Sequence, residues 1–105
     1  MEIAKTVGQK IRELRKSKGL LIREVAARLE IDSSLLSKIE TGDKQPTRNQ
    51  VKSLENILSV KNNELMLIYL SDKLVYEIRD EDLAMEAIKV AEQKIEYLKK
   101  SNIVL

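Results

Sequence analysis

Apolar residues recur along this chain at spacings of three and four, the period of a helix. Val7, Ile11 and Leu14 form the first stripe, opened by a capping box of Thr6 with Gln9 and closed by Gly19. Ile22, Val25, Ala26 and Leu29 form a second, and Leu35, Leu36 and Ile39 a third. Between those two, Glu30-Ile31-Asp32 breaks the pattern, and Asp32 suits the N-cap of the helix that follows. Thr47 with Gln50 makes another capping box, so a fourth helix begins at Arg48 and turns Val51, Leu54 and Leu58 inward, with Ile57 alongside. Asn62 or Asn63 then caps a fifth, carrying Leu65, Ile68 and Tyr69. Past Leu70 the chain stays apolar through Leu74, Val75 and Ile78, and the acidic run Arg79-Asp80-Glu81-Asp82 suits the start of a long helix reaching about Lys100. The pattern predicts an all-α fold: five helices in residues 1–70 and a helical extension over residues 71–105.

The stretch Gly19 to Gly42 is the one around which the rest is arranged. Its two short helices are joined by a tight turn, and Ala26 falls where helices crossing at a steep angle tolerate only a small side chain. The outward face of the second helix offers Ser33, Ser34, Ser37 and Lys38, all hydrogen-bonding groups. A helix-turn-helix that buries one side and presents a short polar helix on the other is a common reader of the DNA major groove.

These residues resemble the helix-turn-helix of the lambda-repressor-like (XRE) transcriptional regulators. The likeness lies in Gly19-Leu20, a helix with a central Ala26, the turn, the second helix, the ending Ile39-Glu40-Thr41-Gly42, and Pro46 beyond it, and it extends over roughly residues 6 to 68. It implies a five-helix lambda-repressor-like DNA-binding domain with double-stranded DNA as partner. Ser33, Ser34 and Lys38 match positions from which such proteins reach base edges, and Ser37 shares their face. Backbone N–H groups at Thr41 and Gly42, with Lys44, match a phosphate seat, and Arg48 at the start of the fourth helix is the best charged phosphate candidate. The likeness also implies an ion pair between Arg15 and Glu40, locking the first helix to the end of the third.

Three positions depart from that pattern. Leu21 stands where Thr or Ser caps the second helix, at a cost of about 1 kcal/mol. Ile22 replaces a Gln that reaches phosphate, for which Arg23, one position on, is the charged substitute. Glu30 stands where Gly is common, so a positive φ there carries modest strain. Serines are short and specify bases poorly, whereas Lys38 can donate to guanine O6 or N7. Part of any sequence preference is therefore expected from DNA shape and from contacts outside this helix.

Charge sharpens the picture once the chain is divided. The 105 residues carry a net +2, but residues 1–52 hold 12 Lys and Arg against 7 Asp and Glu, and residues 53–105 hold 7 against 10. A basic front and an acidic back confine an electrostatic footprint to one end. The hydrophobic fraction is 43% and the aromatic fraction 3%, so the core must be built of Leu, Ile, Val and Ala. With neither cysteine nor histidine, no disulfide, thiol chemistry or ordinary zinc site is expected, and no cofactor is called for. No stretch has the length of a membrane span and the first ten residues lack a signal-peptide core, which makes the cytoplasm the expected location.

In the extension, Ala84, Ile88, Ala91, Ile95 and Leu98 alternate four and three apart, an a/d seam of two heptads flanked by Glu and Lys. Two heptads are too short to hold an isolated coiled coil. Joined by Leu74, Val75 and Ile78, they would form a dimer interface. Otherwise the helix would fold back on its own domain. A homodimer matches the two-fold symmetry of a palindromic operator. The leading expectation is thus a homodimeric, sequence-specific regulator of transcription with no small-molecule effector apparent, acting on its own promoter or, in the manner of controllers of restriction–modification operons, on a linked one. The alternative is an interaction module, such as an antitoxin, with DNA binding secondary. Enzymatic chemistry is not expected, for the sequence holds neither a glycine-rich phosphate loop nor a nucleophile–base set.

Overall fold

The computed structural model describes residues 5–101, and among them the chain is six α-helices with no strand. These are α1 (Val7–Ser17), α2 (Ile22–Leu29), α3 (Ser33–Thr41), α4 (Arg48–Ile57), α5 (Glu64–Ile78) and α6 (Ala84–Ser101). The chain divides into two compact units, one running through Lys73 and the other starting at Leu74, so α5 belongs to both.

The first unit closes around aliphatic side chains from all five of its helices. Val7 and Ile11 of α1, Val25 and Ala26 of α2, and Leu36 and Ile39 of α3 are buried with Val51 and Leu54 of α4 and Leu65 and Ile68 of α5. Ile22, Leu29 and Leu35, expected inside, are only partly buried and pack on the edge of this core. Tyr69 is the aromatic in the buried cluster. Burying this much aliphatic surface is the main drive to fold, at roughly 1.5–3 kcal/mol for each fully enclosed Leu, Ile or Val.

Both capping boxes form. The Thr6 hydroxyl accepts from the Gln9 N–H at 3.2 Å while Gln9 Oε1 accepts from the Thr6 N–H at 2.9 Å. The same exchange links Thr47 and Gln50 at 3.1 and 2.9 Å. Leu21 occupies the N-cap of α2 with no side chain to offer, but Glu24 supplies half a box, its Oε1 accepting from the Leu21 N–H at 2.8 Å. Asp32 stands at the N-cap of α3 in extended conformation without making the side-chain bond expected of it.

The start of α5 corrects the sequence reading. Asn62 and Asn63 lie in the left-handed region, at φ 61° and 57°, rather than in the extended conformation of a capping residue. The Met66 N–H in the first turn is served from another helix, donating to Glu55 Oε2 at 3.2 Å. Asp72, further along α5, accepts from the Val7 N–H at 2.9 Å and ties α5 to the first turn of α1. Burial raises the Asp72 carboxyl above its ordinary range, against the opposing pull of that hydrogen bond.

In the second unit α6 carries no buried residue. Leu74, Val75, Leu83, Met85, Ile88, Val90, Ile95 and Tyr97 are exposed, while Ile78, Ala84, Ala91 and Leu98 are partly covered.

Candidate nucleic-acid interface

α3 is short and amphipathic, and its two sides are sharply divided. Leu36, Ile39 and Glu40 are buried, whereas Ser33, Ser34, Ser37, Lys38 and Thr41 are all exposed. At about 100° per residue those five exposed positions fall within one arc of the helix. Sequence reasoning placed the first four there and valued Thr41 only for its backbone. The structure makes Thr41 the last residue of α3, on the same arc, with its hydroxyl 3.1 Å from the Lys38 carbonyl oxygen and 3.2 Å from Asp43 Oδ2.

The inner side of α3 is held from behind by α1. Arg15 Nε donates to Glu40 Oε2 at 2.8 Å and Nη2 donates to Glu40 Oε1 at 3.0 Å, a two-pronged pair of the kind only a guanidinium makes. Nη1 donates to the Leu20 carbonyl at 2.9 Å, so one side chain joins α1, the start of the turn into α2, and the end of α3. The Arg15 side chain is 11% exposed and that of Glu40 4%. Arg15 is held above its ordinary pKa chiefly by the hydrogen bond to Glu40; burial opposes this and the Glu40 charge adds to it. Arg15 keeps its charge throughout any physiological pH range.

The turn into α3 takes the strained form anticipated for it. Glu30 adopts φ 61°, ψ 41°, left-handed, and its N–H reaches the Ala27 carbonyl at 3.2 Å. Beyond α3, Gly42 is also left-handed, at φ 89°, where glycine meets no steric cost. Here the expected phosphate seat needs correction on one point. The Gly42 N–H points back to the Ile39 carbonyl at 3.3 Å, and the Lys44 N–H to the Lys38 carbonyl at 3.2 Å, so these amides finish the helix rather than face outward. What the loop offers is side chains. Lys44 is exposed, Pro46 is buried and anchors the loop, and Thr47 then starts α4 with Arg48 exposed in its first turn, beside the positive end of the helix axis. Arg23, in the first turn of α2, is exposed as well.

One contributor escaped sequence reading. Gly8 sits inside α1 where it faces the backbone of α3, and a Cβ there would overlap the Ile39 carbonyl oxygen and lie 3.0 Å from that of Glu40. A glycine one residue after the N-terminal residue of a helix, where a side chain would cost nothing in propensity, was the signal of a close approach.

Among the described residues no group of three or more acidic, His or Cys side chains is placed to hold a metal ion, and no helix is long and apolar enough to cross a membrane. The arrangement offers exposed hydroxyls, one lysine on the α3 arc and further cations at two helix starts and a loop. Those groups suit a polyanion with hydrogen-bonding edges.

Comparison with known proteins points the same way. The helix-turn-helix domain family matches residues 6–65. An uncharacterized HTH-type transcriptional regulator, y4dJ, of Sinorhizobium fredii is 36% identical over 66 residues, spanning 63% of this chain and 86% of that protein. No solved structure matches the chain.

Proposed function

This chain belongs to the helix-turn-helix domain family, and from that membership we propose that it is a sequence-specific DNA-binding regulator of transcription, acting as a homodimer on a palindromic operator. The observation that carries the proposal is the division of α3: a polar, exposed arc of Ser33, Ser34, Ser37, Lys38 and Thr41 on a helix whose other side is fixed by Gly8 and Arg15. Rigid backing matters because groove readout requires side chains to meet base edges at fixed positions.

In this reading Lys38 reads guanine and the serines contribute shorter contacts, while Arg23, Lys44 and Arg48 meet phosphates on either side. The extension, through Leu74, Val75, Ile78 and the α6 seam, pairs two copies so that their α3 helices meet half-sites about one helical turn, ~34 Å, apart. Bound at a promoter, such a dimer obstructs or recruits polymerase. Its own operon, or one encoding a restriction–modification pair, is the proposed target.

The exposed apolar face of α6 supports a second reading, a protein-binding module in which DNA is a secondary ligand. Binding-site selection on sheared genomic DNA separates the two. The wild type is run beside a Lys38→Ala, Arg48→Ala double variant of equal thermal stability. One enriched palindrome, lost in the variant, supports the regulator. No enrichment at low salt from folded protein favours the protein-binding module.

A further inference from the structure

We propose that the second copy lies antiparallel along α6, with the N-terminal end of one α6 beside the C-terminal end of the other. The inference rests on the homodimer proposed above and adds its direction.

Two independent properties of α6 select this direction. The first is volume. Written as heptads, Ile88 and Ile95 take the a positions and Ala84, Ala91 and Leu98 the d positions. A parallel pair sets like against like, so Ala91 would face the partner's Ala91 in the middle of the seam and leave a void between two isoleucine layers. An antiparallel pair sets a against d. Ile95 then fills the space over the partner's Ala91, Ile88 meets the partner's Leu98, and every central layer has a large residue.

The second property is charge. Within α6 itself, residues 84–88 carry Glu86 with no Lys or Arg, whereas residues 94–101 carry Lys94, Lys99 and Lys100 against Glu96. Antiparallel pairing brings Glu86 of each helix level with Lys99 and Lys100 of the other. Parallel pairing sets Lys94 beside the partner's Lys99 along the edge of the seam, like charge against like. Ile88 and Ile95 are exposed and Ala84, Ala91 and Leu98 only partly covered, which leaves this face room for a partner.

The chain has no cysteine, which makes disulfide trapping clean. Full-length Ile88→Cys and Leu98→Cys variants are oxidised separately and as an equimolar mixture. Both positions lie outside the buried core, so neither change threatens folding of the first unit. In the antiparallel pair positions 88 and 98 share a layer, while each is some ten residues, about 15 Å, from its own counterpart, beyond disulfide reach. The expected result is a covalent dimer from the mixture and from neither variant alone, with a wild-type dimer that weakens as salt is raised. Dimers from each variant alone, strengthened by salt, would mean parallel pairing and overturn the direction while leaving the homodimer intact. No disulfide in a protein that sediments as a dimer would place the interface elsewhere and overturn the inference. No disulfide in a protein that sediments as a monomer would overturn the homodimer too, and the genomic selection would still report separately on DNA binding.

Discussion

Gly8 of α1 faces the Ile39 carbonyl of α3 so closely that no side chain fits between them. A backbone carbonyl cannot swing aside as a flexible side chain would, so a methyl group here must push two helices apart. Gly8→Ala should therefore lose at least about 1–3 kcal/mol of stability, although alanine is the better helix former. Chemical denaturation measures it, and a variant as stable as the wild type would show that α1 and α3 have room to separate.

Seven residues along α1, Arg15 holds the neighbouring residue, Glu40, by its side chain. Arg15→Ala leaves a carboxylate that is almost wholly enclosed without its partner, at a cost of about 3–5 kcal/mol. Arg15→Lys restores the charge but not the fork, and should recover only part. An apolar pair, Arg15→Met with Glu40→Leu, should recover more than either single change. A double-mutant cycle in urea gives the coupling directly.

Glu30 pays for its left-handed backbone with no compensating side-chain bond among those described. Glu30→Gly should raise stability by about 0.5–1 kcal/mol, the relief of strain being partly offset by a looser unfolded chain. The thermal midpoint should rise, with the m-value unchanged.

Asp72 gives the fold a pH dependence with an unusual sign. Its carboxyl is raised in the folded state by burial, so between its unfolded and folded pKa values the folded chain holds more protons. This site's contribution to stability therefore falls as pH rises through that window and is restored below it. Asp72→Asn keeps an acceptor for the Val7 N–H and removes the buried charge. The variant should be more stable than the wild type at neutral pH, and the gap should close as the acid range is entered. A gap that widens on acidification would reverse the assignment.

On DNA the two kinds of contact should separate by their salt response. Arg48→Ala should weaken binding about equally across operator variants and reduce the salt slope by about one. Lys38→Ala should instead relax discrimination at one base pair, by about 1–3 kcal/mol. Fluorescence anisotropy over a salt series with an operator and its point variants reads both. Unchanged preference in the Lys38 variant would remove its base-reading role.

What could be read from sequence was what is local. Thr6 with Gln9 and Thr47 with Gln50 announce their helices because both partners lie within one turn, and both boxes are found. The α3 arc was legible for the same reason, since spacing alone sorts its residues into two sides. The Arg15–Glu40 pair spans 25 residues, and its presence came from resemblance to a family rather than from periodicity. Contacts between helices with no such precedent were missed: Asp72 on Val7, Glu55 on Met66, and the approach at Gly8. Glu55 explains why the asparagines misled. Once a neighbouring helix supplies the acceptor, Asn62 and Asn63 are released to make the turn, where asparagine tolerates the left-handed region better than most residues.

α6 has one more consequence. An 18-residue helix with no fully buried residue has little to sustain it in water beyond partial cover and marginal intrinsic propensity. In the homodimer proposed above, its order is linked by mass action to how much of the protein is present. In that dimer, dilution should melt this segment while the first unit stays folded, so the helical signal at 222 nm should drop on dilution only as far as the level set by the helices of the first unit. With that dimer, a cell making little of the protein would hold mostly single copies with α6 frayed, and one making more would shift gradually to paired molecules. In that dimer the helix would serve as a gauge of the protein's own abundance.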